Sequence, residues 1–466
     1  MAAVETVVML REILATPPAE VRRLHAEHIN PTLVQALSLL GYGRDLVRAA
    51  GVSVWDVEGR EYLDFLAGYG SLLLGHNHPE VRAALEEVLR SEAPNFLQIC
   101  PQPLAVSLAQ RLARIAPGGL SMAYLTSSGS EAVEGAMKLA RAVTRRPRFV
   151  SAERGFHGIT LGALSVTGGQ KHRAPFEPLL PDCALVPWGD AGAVERELRK
   201  RDVAAVVLEP MQGEGGMRPP PAGYLAEVAR HCRKYGTLLV LDEIQTGLGR
   251  TGKMFFCEHE GVEPDVLCVA KGLSGGAVPV SAYVTRRALW ERAYGTLQKH
   301  DVHSATFSGG ALACAAALAT LEIVERDRLP QRAAELGEYL GARLREVTSG
   351  HSLVREVRGR GLLWGIELGA GSQFTVELVA QWLAVGLMQR QMITQVGTQA
   401  PEVVRAEPPL IVELEHIDRF AAALRATLAQ HATGALSSLS QVFATLAQGA
   451  GRAVRDRVKL ALGVRQ

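Results

Sequence analysis

Between residues 70 and 310, short apolar runs alternate with stretches in which apolar residues return every three or four positions. The runs Ala123–Thr126, Phe149–Val150, Ala204–Leu208, Leu238–Leu241 and Val266–Ala270 predict strands, and the stretches between them predict helices. Strands separated by helices imply an α/β fold, a mainly parallel sheet with helices on both faces. Upstream, the first 45 residues read as helical, with breaks at Pro17-Pro18 and Asn30-Pro31. Gly51–Phe65 predicts a hairpin of two alternating strands around a turn that ends at Gly59. After residue 311 an Ala-rich helix leads into a mixed region that includes Arg358–Gly365 and Arg405–Val412.

This order predicts an N-terminal segment and hairpin over 1–69, a large domain over 70–315, a small domain over 316–430 completed by the hairpin, and an extension over 431–466. In the extension, Leu436, Leu439, Phe443, Leu446, Ala450 and Val454 form a helical stripe, and Arg452, Arg455, Arg457, Lys459 and Arg465 make the end basic. Two readings stand for it. It is a terminal helix packed on its own domain, or a docking helix for an acidic surface such as a carrier protein or a membrane.

Ligands of open parallel sheets bind beyond the carboxyl ends of the strands, so the polar residues there carry the candidate chemistry. Lys271 ends the apolar run Val266–Ala270 and opens the loop Gly272-Leu-Ser-Gly-Gly276. A partly desolvated lysine is a usable nucleophile and base, and the glycines leave room for a ring to approach the backbone. The alternative is a lysine that snorkels from a strand end. Asp242 follows Leu238–Leu241 and reads either as a helix cap or as the partner of a protonated pyridine nitrogen, with Gln245 placed for a phenolic oxygen. Ser127-Ser-Gly-Ser130 turns into a helix whose first amides suit a phosphate, although Ser128 or Ser130 can equally cap it. Phe156, in Arg154-Gly-Phe-His-Gly158, is either core or a plate against a planar ring; His157 beside it reads as structural.

Composition narrows the class without naming it. The 466 residues are 47% hydrophobic and 21% charged with a formal net charge of +2, ordinary for a globular enzyme and without the basic block of a nucleic-acid binder. Six scattered cysteines form no C-x-x-C pair and no metal spacing, which predicts buried reduced thiols and no metal site. Met1–Ala15 has no basic region followed by an apolar core, and no uncharged apolar stretch reaches the length of a membrane span; the expected location is the cytoplasm.

Taken as motifs, these strand ends resemble the class III, fold type I pyridoxal-phosphate aminotransferases. The matching stretches are Ser128–Arg141, Gly155-Phe-His-Gly158, Leu208-Glu-Pro-Met-Gln-Gly-Glu-Gly-Gly216, Leu241–Gly252, Ala270-Lys-Gly272 and Thr306-Phe-Ser-Gly-Gly310. Glu258–Asp265 and Arg405-Ala-Glu-Pro-Pro-Leu410 are most similar to the putrescine and ornithine branch. The resemblance implies a large domain with a mostly parallel seven-stranded sheet and a small α+β domain from both chain ends. It implies pyridoxal 5'-phosphate as cofactor. Lys271 would hold the cofactor and move the substrate proton, Asp242 would hold the ring nitrogen, Gln245 the phenolic oxygen and Phe156 the ring face. Ser128, Gly129 and Ser130 would bind the phosphate, and Thr306 would reach the phosphate of a neighbouring subunit in a homodimer.

The resemblance also implies a gate. Glu214 would neutralise Arg405 while an amine is bound and release it to clamp the carboxylate of a keto acid, for which an arginine is geometrically suited. Two positions depart from the ornithine type. Ile159 replaces the arginine for an α-carboxylate, and Ser53 replaces a substrate-contacting tyrosine, although Tyr69 keeps the other aromatic position. An unpaired α-carboxylate in such a pocket costs roughly 2–5 kcal/mol, so the expected donor is a primary amine or diamine. The expected acceptor is a keto acid such as 2-oxoglutarate or pyruvate. The alternatives are a longer aldehyde or carrier-linked substrate, an aminomutase or decarboxylase on the same fold, and a catalytically silent scaffold.

Overall fold

The computed structural model describes residues 9–39, 42–96, 99–369 and 373–430. The apolar stripe and basic end of 431–466 lie outside the described residues, as do Met1–Val8 of the N-terminal stretch. Helical residues 9–14 open the described chain, and the helices Pro18–His28 and Pro31–Leu39 follow, each starting on the proline that marks the break.

The hairpin forms from β2 (Ser53–Asp56) and β3 (Glu61–Asp64), with β1 (Leu46–Ala50) added antiparallel on the outer side of β2. Asp56 shapes its turn by accepting from the amides of Glu58 and Arg60, and Gly59 supplies the left-handed residue at φ 78°.

The central sheet contains β4 (Met122–Thr126), β5 (Arg148–Ala152), β6 (Cys183–Val186), β7 (Val203–Leu208), β8 (Leu238–Asp242), β9 (Val266–Val269) and β10 (Ser281–Thr285). Its spatial order is β4-β10-β9-β8-β7-β5-β6, seven strands in all. β5 to β9 run parallel, and β10 is antiparallel to both β9 and β4. All six residues of β7 are buried, as expected of a central strand covered on both faces. β6 and β10 carry no strong run of their own: Cys183-Ala-Leu-Val186 is short, and Ser281-Ala-Tyr-Val-Thr285 mixes polar and apolar residues in a fully buried place. Sequence patterning misses both for that reason.

A third sheet follows in β11 (Val354–Arg360), β12 (Leu363–Leu368) and β14 (Val403–Ala406), ordered β11-β12-β14 and antiparallel throughout. The two-residue β13 (Met392–Ile393) pairs parallel with β3, so the two ends of the chain share one sheet. That pairing delivers the loop Thr394–Gln399 to the hairpin. β14 ends at Ala406, and Glu407 N–H donates to Phe65 carbonyl at 2.8 Å, which ties this strand end to the hairpin's exit.

Four of the six cysteines are buried, Cys183 is half-buried and Cys100 is exposed, a departure from the expectation of uniformly buried thiols. Cys100 follows Asn95 on a surface connection, where no apolar periodicity encloses it. No described helix is long and apolar enough to cross a membrane, and no group of metal-ligating side chains occurs among the described residues.

Candidate active site

The parallel register of β8 and β9 sets Asp242 opposite Cys268, so Asp242 and the Lys271 turn emerge at the same sheet edge. Lys271 opens a 3-10 turn, Lys271–Ser274, with its own backbone in the left-handed region at φ 41°. A non-glycine residue there is strained, and such strain persists where the surroundings dictate the position. The side chain is half-buried, and its charge helps to stabilise the Glu214 carboxylate.

Asp242 is buried. Its Oδ1 accepts from Ile244 N–H at 3.1 Å, and its Oδ2 lies 2.8 Å from His157 Nδ1. Burial opposes a charge on His157, but the bond and charge of Asp242 outweigh it and hold the imidazole above its ordinary pKa. His157 therefore fixes the carboxylate that faces the site, a role its sequence position alone does not reveal. Glu209, the residue after β7, accepts from Phe156 N–H at 2.9 Å and Gly213 N–H at 3.0 Å. It thereby holds the loop after β5 against the loop after β7.

At the head of the helix Gly129–Thr144, Ser128 forms a capping box: its hydroxyl accepts from Glu131 N–H at 3.2 Å, and Glu131 accepts from Ser128 N–H at 3.0 Å. The capping reading holds for the Ser128 side chain. The amides of Gly129 and Ser130 lie in the first turn, where no helix carbonyl can reach them. Ser130 Oγ accepts from Ile159 N–H at 3.2 Å, which leaves its own proton to donate. Gly158, at φ 127°, is required here, because a Cβ would collide with Ser130 Oγ. Ile159 itself is exposed, and Phe156 is half-buried with its ring edge-on to His172.

Arg405 and Glu214 form a two-pronged pair, Nη1 to Oε1 at 2.9 Å and Nη2 to Oε2 at 2.6 Å, with both side chains buried. Glu214 Oε2 also accepts from Thr398 N–H at 3.0 Å and from its hydroxyl at 2.7 Å. Burial opposes the Glu214 charge, yet Arg405 and these donors hold its carboxyl far below the usual range. The Arg405 guanidinium lies 5.2 Å from the centre of the Tyr69 ring, and the Tyr69 hydroxyl donates to Gln395 Oε1. The structure thus brings Tyr69, Glu214 and Arg405 into one cluster.

Gln245 has a protein partner beside its expected role. Its amide nitrogen points at a carboxylate, Glu407, at 3.0 Å and 2.9 Å from the two oxygens. Thr306 is exposed on the loop before the helix Ala311–Arg326. Glu209, Thr398, Gln395 and Glu407 are not among the site residues expected from the sequence, and His157 reads from it only as structural. Glu209 and Glu407 had a usable signal, since each follows a strand end; Gln395 and Thr398 sit in a loop without periodicity.

The donor set suits a planar, phosphorylated, protonatable ring. A helix N-terminus with free amides and a hydroxyl would suit its phosphate, a buried carboxylate would suit its ring nitrogen, and a lysine stands on the neighbouring strand end. The comparisons agree with that chemistry. The model of the class-III aminotransferases matches residues 41–428, and the chain belongs to this pyridoxal-phosphate-dependent family, with the type I fold. It is 40% identical over 415 residues to a putrescine aminotransferase of Pectobacterium atrosepticum, covering 86% of each chain. It is 37% identical over 457 residues to the aminotransferase PigE of a Serratia species, with 88% of this chain covered; the match spans only 54% of that longer relative. Among solved structures, an (S)-enantioselective omega-transaminase from Thermomicrobium roseum superposes with a TM-score of 0.81 at 30% identity, over 89% of this chain and 98% of that one.

Proposed function

We propose that this chain moves an amino group from a primary amine or a putrescine-like diamine to a keto acid such as 2-oxoglutarate or pyruvate, in two half-reactions that share Lys271. The observation that carries the reading is the closed Glu214–Arg405 pair. With Arg405 neutralised, the site presents no free guanidinium to an amine; with Glu214 withdrawn, it presents a fork that matches a carboxylate. Ile159 adds an apolar surface beside Ser130 where an α-carboxylate would need a cation. The likeness to a putrescine aminotransferase supports the same donor class.

Bound pyridoxal phosphate supplies an electron sink for the charge that develops on the substrate carbon. The protein's residues do the rest. Lys271 Nζ holds the cofactor and then carries the proton to and from that carbon. Asp242, fixed by His157, keeps the ring nitrogen protonated. The amides of Gly129 and Ser130, with the Ser130 hydroxyl, bind the phosphate, Ser128 serving mainly as the cap that presents them. Phe156 covers the ring face from a loop anchored by Glu209. Gln245 carries two amide hydrogens; a contact shared between the Glu407 oxygens uses one and leaves the other for the phenolic oxygen. Thr306, exposed in one chain, reaches the phosphate site of a second, so the working assembly is at least a homodimer.

The test is a half-reaction screen. The cofactor-loaded protein is mixed with single amines, without acceptor, and the loss of the lysine-bound cofactor's absorbance is followed. Diamines and ω-amines are expected to discharge it, as is the α-amino acid that matches the accepted keto acid, because the second half-reaction runs in both directions. Discharge by ornithine through its α-amine, or by no amine at all, rejects the reading.

A further inference from the structure

Arg405 faces a second carboxylate. Glu407 Oε2 lies 3.8 Å from Arg405 Nη1, the nitrogen that also donates to Glu214 Oε1, and the Arg405 and Glu407 side chains are fully buried. The two carboxylates are held in different ways. Glu214 sits in the run Gly213-Glu-Gly-Gly216, with Gly216 at φ 105°, a backbone able to rearrange. Glu407 is locked. Its amide is bonded to Phe65, both its oxygens accept from Gln245, and Gly70 packs so close that a Cβ there would collide with Oε1. A second cation whose charge reaches Glu407 is Arg250, which is fully buried, donates to the carbonyls of Leu362 and Pro408, and forms no ion pair within 4.0 Å among the described residues.

We propose that Glu407 is the resident counterion of Arg405, a specificity-determining residue that keeps the arginine paired when Glu214 withdraws and so weakens the site's hold on an acceptor carboxylate. The inference rests on the gate described above. A bare guanidinium in this place would be costly, because a buried charge stripped of its partner is strongly destabilising. With Glu407 in place, withdrawal of Glu214 exchanges a two-pronged pair for a longer one and leaves no isolated charge. The same charge opposes the incoming carboxylate, since two like charges then compete for one guanidinium. The consequence is an easily opened gate and a loose acceptor, the arrangement expected of a site that must take up amines and carboxylates in turn.

The experiment uses Glu407→Gln in the full-length, cofactor-loaded protein. Glutamine still offers an oxygen to Gln245 but carries no charge. Binding of glutarate, an unreactive dicarboxylate, is measured by calorimetry, alongside KM for 2-oxoglutarate and for the amine that the half-reaction screen selects. Glu407→Gln is expected to tighten glutarate binding about tenfold and to lower the keto-acid KM relative to the amine KM by a similar factor. Glu407→Ala, which also deletes the charge, is read in the same way and decides the matter if the glutamine variant does not fold. Unchanged or weaker glutarate binding overturns the inference, provided that Arg405→Ala abolishes it. If Arg405→Ala leaves glutarate binding intact, the gate itself is wrong, and the role of Glu407 falls with it.

Discussion

His157 Nδ1 stands 2.8 Å from Asp242 Oδ2, and the two side chains are almost completely enclosed. The bond orients the carboxylate from behind, so that its other oxygen stays on the Ile244 amide and the group cannot rotate freely. A hydrogen bond between charged groups is worth roughly 1.5–3 kcal/mol, or about 10- to 100-fold in an equilibrium constant. Replacing His157 by Ala is therefore expected to weaken pyridoxal-phosphate binding to the apoprotein by that factor, as read by equilibrium dialysis. A variant with unaltered cofactor affinity would show that Asp242 needs no orienting partner.

His157 also marks the limit of what the sequence discloses. The strand-end rule located Asp242, Lys271 and the Ser128–Ser130 turn, because each terminates an apolar run that makes its own secondary structure. The hairpin at Gly51–Phe65 was legible for the same local reason. His157, Glu209 and Glu407 act instead through pairings 85, 53 and 162 residues distant in the chain, with Asp242, Phe156 and Gln245 respectively. The strand ends at Leu208 and Ala406 mark Glu209 and Glu407 as candidates, but no local pattern records which residue each one pairs with. The central-sheet strands Cys183–Val186 and Ser281–Thr285 were missed because the tertiary environment, rather than their own periodicity, makes them strands.

Lys271→Ala is expected to abolish the long-wavelength absorbance of the lysine-bound cofactor and to reduce turnover below detection. The protein should still fold, because an alanine at this left-handed position carries roughly the same backbone cost as the lysine it replaces. Circular dichroism checks the fold and absorbance checks the site. Residual turnover in a well-folded variant would move the nucleophile elsewhere.

Glu214 and Arg405 should respond asymmetrically to truncation. Arg405→Ala removes the carboxylate clamp, and the expected result is a rise of roughly 100-fold in keto-acid KM with a much smaller change in amine KM. Glu214→Ala instead removes the two-pronged partner of a fully buried arginine and should lower stability, by up to about 3–5 kcal/mol before the relief that Glu407 provides. Steady-state kinetics of each half-reaction and urea unfolding separate the two effects. Equal losses in both half-reactions for Arg405→Ala would count against a gate.

Glu243 offers a pH test of the buried interior next to the site. Its carboxylate accepts from Phe256 N–H at 3.0 Å, Cys257 N–H at 2.9 Å and the Thr246 hydroxyl, within a fully enclosed space. Burial pushes the carboxyl up to about 7, against the pull of those donors. An acid whose folded pKa exceeds its unfolded value of 4.5 keeps a proton in the folded state that the unfolded chain has already lost. Its contribution to stability therefore falls as pH rises from about 4.5 to 7 and is constant above that window. The span corresponds to at most about 3 kcal/mol. Glu209, also pushed up to about 7 by burial, has the same sign, so the measurement must isolate one group. Urea unfolding of the wild type and Glu243→Gln at pH 5 and pH 8 does so. The glutamine variant should gain on the wild type between the two pH values, and a stability gap independent of pH would mean that Glu243 is ionised throughout.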